Sequence, residues 1–154
     1  MTCERAYYFW CLLGGGLGRD EYEAELERLQ LEEEPLSPLV IELSFCPSDR
    51  EKTLRLLREY WLDAERELDY GEVLRMLRGF LRRRFLNRGS PTAEIVRQMY
   101  GLLACFGSEC EELEECDTLR CLCDYYDLVE EEVIPPEDFD RALREFIISG
   151  EVVS

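Results

Sequence analysis

The stretch Ser48-Asp-Arg-Glu-Lys-Thr-Leu-Arg-Leu-Leu-Arg-Glu-Tyr-Trp-Leu62 decides the fold, together with Tyr70-Gly-Glu-Val-Leu-Arg-Met-Leu-Arg-Gly-Phe-Leu-Arg-Arg-Arg-Phe-Leu-Asn-Arg88, which follows a mixed-charge run to Asp69. Leu54, Leu57, Trp61, Ala64 and Leu68 recur at alternating steps of three and four, with Arg55, Arg58, Glu59, Glu65 and Arg66 between them. That spacing puts the apolar residues on one stripe of a helix and the charges on its other faces. Ser48 stands three residues before Glu51, and Asp69 three before Glu72. In this pattern side chains satisfy the free N–H groups of a first helical turn. Two helices meeting near Asp69 and Gly71 are predicted, of about 20 and about 18 residues, roughly 30 Å and 27 Å long at the α-helical rise. They are expected to form the central pair of an all-helical domain.

Working outward towards the amino terminus, Ala6-Tyr-Tyr-Phe-Trp-Cys-Leu-Leu13 is apolar and aromatic. It is too short to cross a membrane, and Arg5 is offset by Glu4, so it reads as a buried first helix rather than a signal peptide. Gly14-Gly-Gly-Leu-Gly18 then stops the helix. It has neither the spacing of a dinucleotide fingerprint nor the Gly-Lys-Ser/Thr of a phosphate loop, and reads as a turn. A second helix over 19–34 is signalled by Tyr22, Leu26 and Leu29, with Asp20 and Glu21 near its start and Glu over its solvated face. Pro35 and Pro38 end it. The run Leu39-Val-Ile-Glu-Leu-Ser-Phe45 suits a strand or a short helix. Helix is favoured, since no second strand exists to pair with it.

Towards the carboxyl end, Gly89, Ser90 and Pro91 supply a stop, a cap and a first helical residue. Ile95, Val96, Met99, Leu102 and Leu103 give the inner face of a helix to about Phe106. Residues 107–115 read as an acidic loop. Leu119, Leu122, Tyr126 and Val129 face inward from a helix between about Asp117 and Glu131. Pro136 starts a last helix with Phe139, Leu143, Phe146 and Ile147 as its core stripe. The expectation is an all-α, compact single domain over residues 1–154 with about six to eight helices. The chain's 154 residues, 46% of them hydrophobic, suffice for one sizeable core.

Charge narrows the choice of partners. The 35 acidic residues against 18 basic ones, a net charge of −17, repel nucleic acid and anionic membranes and attract a cationic protein. The distribution is uneven. Between Gly71 and Ser90, six arginines oppose Glu72 alone, whereas between Gly107 and Asp140 fourteen acids oppose Arg120 alone. Attraction between these two segments within the fold is expected.

Cys3, Cys11, Cys46, Cys105, Cys110, Cys116, Cys121 and Cys123 lack a Cys-x-x-Cys pair, and the chain has no histidine. Reduced, packed thiols in a cytoplasmic protein are the expectation, with zinc ligation by Cys105, Cys110, Cys116, Cys121 and Cys123 as the alternative. The lack of histidine also removes the usual general base and the Cys-His and Ser-His-Asp arrangements. Lys52, the one lysine, lies among solvated charges. A non-enzymatic protein is expected, with no catalytic, cofactor-binding or metal residues.

Thr92-Ala-Glu-Ile-Val-Arg-Gln-Met-Tyr100 and Cys123-Asp-Tyr-Tyr-Asp-Leu-Val-Glu-Glu-Glu-Val-Ile-Pro-Pro-Glu-Asp-Phe-Asp140 describe a helix ending in an aromatic residue and an Asp-rich helix leading into a last short one. With Asp20-Glu-Tyr-Glu-Ala-Glu-Leu-Glu-Arg-Leu29 and Leu39-Val-Ile-Glu-Leu43, this order resembles small acidic all-helical immunity proteins of bacterial toxin systems. The resemblance implies a cytoplasmic protein that neutralises a cognate, often cationic, toxin domain. The high cysteine content departs from the family's usual pattern. Glu109, Glu111, Glu112, Glu114, Glu115, Asp117, Asp124 and Asp127, beside Tyr125 and Tyr126, are the expected partner-binding residues: carboxylates to steer, aromatics to anchor. An acidic scaffold or regulatory adaptor without a toxin is the alternative.

Overall fold

The computed structural model describes residues 1–14, 18–87, 92–106 and 114–149. Among them are eight α-helices, no strand and one π-helical turn, so the chain is all-α as its periodicity predicts. Contacts divide it into two compact units, Met1–Val73 and Leu74–Ser154.

The first unit holds α1 (Cys3–Gly14), α2 (Arg19–Glu32), α3 (Pro38–Ser44) and α4 (Arg50–Asp63). Its centre is α1, whose buried residues Cys3, Glu4, Ala6, Tyr7, Tyr8, Phe9, Cys11, Leu12 and Leu13 cover the whole circumference. A helix buried on every side, with a single acid among its buried residues, belongs inside a fold. The principal partner of α4 is α1. Within this unit α4 therefore packs chiefly on α1, whereas most of the second stretch of the expected central pair belongs to the other unit. Aromatic edges join them: Tyr7 and Trp61 are 5.0 Å apart between ring centroids, and Trp10 and Trp61 5.8 Å apart.

Helix α4 is also shorter than predicted. It caps at Ala64, an exposed residue rather than the core residue expected, and Glu65 turns the chain with a φ of 50°. Its cap is Asp49 instead of Ser48: the Asp49 carboxylate accepts from Lys52 N–H at 3.1 Å. A carboxylate at this end of a helix adds attraction to the macrodipole that a hydroxyl lacks. The cap predicted at Asp69 is in place, accepting from Glu72 N–H at 3.2 Å. Pro38 begins α3 behind a Ser37 cap, where its missing N–H costs nothing, while Pro35 lies between the two helices.

The second unit takes in the rest of α5 (Tyr70–Arg82), which begins in the first. It continues through the π-helical turn Arg83–Asn87, α6 (Thr92–Phe106), α7 (Glu114–Glu130) and α8 (Pro136–Ser149). Leu74, Leu77, Phe80 and Leu81 bury one stripe of α5, and Arg75 and Arg82 stand exposed. Phe139, Leu143, Phe146 and Ile147 are buried as predicted, as are Ile95, Val96, Met99 and Leu122. Helix α7 packs on both α6 and α8. The Thr92 hydroxyl, hydrogen bonded to Asp140 at 2.9 Å, ties the start of α6 to α8. No ion pair among the described residues joins Arg75, Arg78 or Arg82 to the acidic segment. The Arg84 guanidinium lies over the Phe80 ring, 5.1 Å from its centroid.

Candidate protein-binding face

Helix α7 carries most of the described residues expected to bind a partner. Glu114 and Glu115 are the first two residues of this helix. Asp117, Asp124 and Asp127 are exposed along it. Glu109, Glu111 and Glu112 lie outside the described residues.

The acidic side chains differ in how far they are neutralised. Asp117 pairs with Arg120 one turn on, at 3.2 Å, a contact between exposed groups that leaves most of the field intact. Asp127 accepts from the Tyr100 hydroxyl at 3.0 Å, and the Cys123 carbonyl lies 3.2 Å from the same hydroxyl. Desolvation and the bond to Asp127 push the Tyr100 hydroxyl up to about 12, so it remains a donor at neutral pH. Asp124 makes no ion pair among the described residues.

The carboxyl end of α7 concentrates this charge. Glu130, Glu131 and Glu132 are exposed where the macrodipole already disfavours anions, and no basic residue stands in the last turn. The chain leaves the helix through a Schellman closure: Val133 N–H bonds the Leu128 carbonyl at 2.9 Å and Glu132 N–H that of Val129 at 3.1 Å. Glu132 thereby takes the left-handed φ of 62° that glycine usually fills. Sequence reading placed the charge focus on the loop before α7 and missed this Glu run, although three consecutive glutamates just ahead of Pro135 were a visible signal.

The two tyrosines serve the packing of α7 on α8. Both are half-buried, with ring centroids 5.7 Å (Tyr125) and 5.1 Å (Tyr126) from that of Phe139. Apolar surface beside the carboxylates comes from Tyr100, 43% exposed, and from Leu128.

The cysteines of α7 point two ways. Cys121 is exposed and Cys123 buried, as their separation by two residues on a helix dictates. Burial, reinforced by Asp124 and Asp127, pushes the Cys123 thiol up to about 12, so the free thiol stays protonated at neutral pH. Among the described residues no three Cys, Asp or Glu side chains gather as a metal site, and the placement of Cys105, Cys110 and Cys116 side chains lies outside the description. No described helix is long and apolar enough to cross a membrane. Comparison with protein-family models, with curated proteins and with solved structures gives no match to this chain.

Proposed function

We propose that this protein is a non-catalytic binding module that takes a cationic protein on the acidic face of α7. In its most concrete form it is an immunity protein that neutralises a cognate bacterial toxin domain by occluding it. The observation that carries the reading is the unneutralised negative focus at the carboxyl end of α7, where Asp124, Asp127, Glu130, Glu131 and Glu132 are all exposed. Placing carboxylates against the helix dipole lowers stability by a few tenths of a kcal/mol each, roughly up to 1. A cost of that kind is retained where charge attracts a partner, because a focused field raises the rate of encounter. Leu128 and Tyr100 flank the carboxylates and supply apolar contact once the partner arrives.

The test is co-expression with the product of the adjacent gene. Cells survive when the wild-type chain is present and die when Asp124, Asp127, Glu130 and Glu131 are replaced by lysine in a variant that still folds. Equal survival with both removes this face from the reading. A neighbour that is neither toxic nor bound removes the immunity reading itself.

One feature favours an adaptor as the second reading. Leu31 and Phe45 are each 82% exposed, and Ile41 is exposed on the same short helix as the residues leading to Phe45. Such apolar exposure near the ends of α2 and α3 suits a protein-binding patch that needs no charge steering.

A further inference from the structure

Within the first unit, α1 and α4 pack on one another and leave an open groove of about 370 Å³ lined by Trp10, Leu54, Arg55, Arg58, Glu59 and Leu62. Leu54, Arg58 and Leu62 recur every four residues, so they form one ridge of α4 about 12 Å long. Trp10 of α1 supplies the other wall. Its half-buried indole is held by Tyr7 and Trp61, at 5.9 and 5.8 Å between ring centroids, and the part they leave uncovered borders the groove. Leu62 is 56% exposed and Leu54 half-buried. Three apolar side chains thus share one surface left open to solvent, a composition that marks a contact site when polar groups rim it.

The second observation is the state of the two arginines on that rim. In this acid-rich chain Arg5, Arg19, Arg28 and Arg66 of the same unit each meet a carboxylate. Arg55 has Glu51 and Glu59 one helical turn to either side and pairs with neither, and Arg58 forms no ion pair among the described residues. Both guanidinium groups are exposed beside the apolar walls, and Glu59 is the single acid of the lining. The groove therefore joins an apolar floor to an unneutralised positive rim, opposite in sign to the chain's net charge of −17. Trp and Arg are also the residue types that dominate the energy of protein contacts.

We propose that this groove receives an acidic amphipathic helix of a partner protein, whose apolar side lies along Leu54 and Leu62 against Trp10 and whose flanking carboxylates meet Arg55 and Arg58. A ridge of side chains four residues apart beside a trough is the shape into which the apolar stripe of a second helix fits. A neutral apolar partner would cover the two guanidinium groups without giving them acceptors. A second copy docking by the same face would bring four guanidinium groups together, since a two-fold contact sets a surface against itself. Repulsion from the chain's net charge is screened beyond about 8 Å at physiological ionic strength, whereas the pairs in the groove act at contact. The groove takes the opposite charge to the face of α7, and neither reading depends on the other.

The experiment is a titration of the full-length, ¹⁵N-labelled protein at physiological ionic strength, followed by amide and indole chemical shifts. The probe is a synthetic helical peptide of about 18 residues, long enough to hold a helix, with Leu on one face, Glu flanking it and Ala behind. A peptide with Lys for Glu and one of the same composition with the apolar face scrambled run in parallel. Saturable shifts at the Trp10 indole, Leu54, Arg58 and Leu62 are expected with the Glu peptide, and the Lys peptide moves resonances of acidic surfaces instead. Arg55→Glu with Arg58→Glu should weaken the Glu peptide about tenfold or more while the melting temperature stays close to wild type, because both side chains are exposed. Leu62→Ser, which leaves every charge in place, should weaken it as well. The proposal is overturned by the absence of saturable shifts at these four residues, by equal shifts there with the Lys or scrambled peptide, or by unchanged affinity in the variants. Concentration-dependent movement of the same resonances without peptide also overturns it, in favour of a second copy.

Discussion

Glu4 Oε2 accepts a hydrogen bond from Arg66 Nη2 at 2.6 Å across 62 residues of sequence, and its other oxygen accepts from Asp69 N–H at 3.2 Å. An acid only 4% exposed on the central helix thereby fastens the segment between α4 and α5 to α1. The bond from Arg66 holds the Glu4 carboxyl down at about 2, against the opposing effect of its own burial.

This coupling sets an acid limb for stability. A carboxyl with a depressed folded-state value contributes fully above its unfolded value of 4.5, and the contribution is lost as pH falls towards 2. Glu4→Gln is expected to cost on the order of 2 kcal/mol at neutral pH, a figure reduced for solvent screening around half-exposed Arg66. The gap between wild type and variant should close across that window in thermal melts. A gap independent of pH would show that the charge on Glu4 contributes nothing.

The aromatic residues near α7 separate by role. Tyr126→Ala should destabilise the chain by about 2 kcal/mol through lost packing on Phe139. Tyr100→Phe, which removes a half-exposed hydroxyl shared between Asp127 and the Cys123 carbonyl, should cost about 0.5–1 kcal/mol. Denaturant unfolding of the two variants measures both, and the reverse order would contradict the packing described for Tyr126.

Thiol reactivity should follow the two faces of α7. Iodoacetamide at mildly alkaline pH is expected to modify Cys121 in the native protein and leave Cys123 untouched, because burial keeps that thiol protonated. Peptide mass mapping reads the result. In denaturant both react, and comparable native rates would mean that α7 does not bury Cys123.

At the end of α7, Glu132→Gly should raise stability by about 0.5–1 kcal/mol. Glycine relieves the left-handed backbone, offset in part by the greater freedom of the unfolded chain. The same change removes one acid from the helix terminus, so slower association with a cationic partner should accompany the higher melting temperature. A lower melting temperature would mean that the Glu132 side chain makes a stabilising contact outweighing its backbone strain.

Sequence alone determined the helices, because apolar spacing and stop signals are local. The stripe Phe139, Leu143, Phe146, Ile147 is buried where periodicity put it, and of the stripe read before Asp69 Leu57 and Leu68 are buried while Ala64 is exposed. Proline and the Asp69 cap likewise act within a few residues of chain. The ambiguous run after Ser37 became α3, as the lack of a pairing strand required. Partnership was a different matter. Which helix occupies the centre of the first unit depends on how completely a surface is covered, and α1 takes that place because nine of its twelve residues are buried. The placement of Tyr125 and Tyr126 against Phe139, the bond from Arg66 to Glu4 and the unpaired hydroxyl of Tyr22 all join residues distant in sequence or depend on what does not approach. Spacing along a helix fixes which way a side chain points, but only the packed neighbours decide whether it meets a partner, a cavity or water.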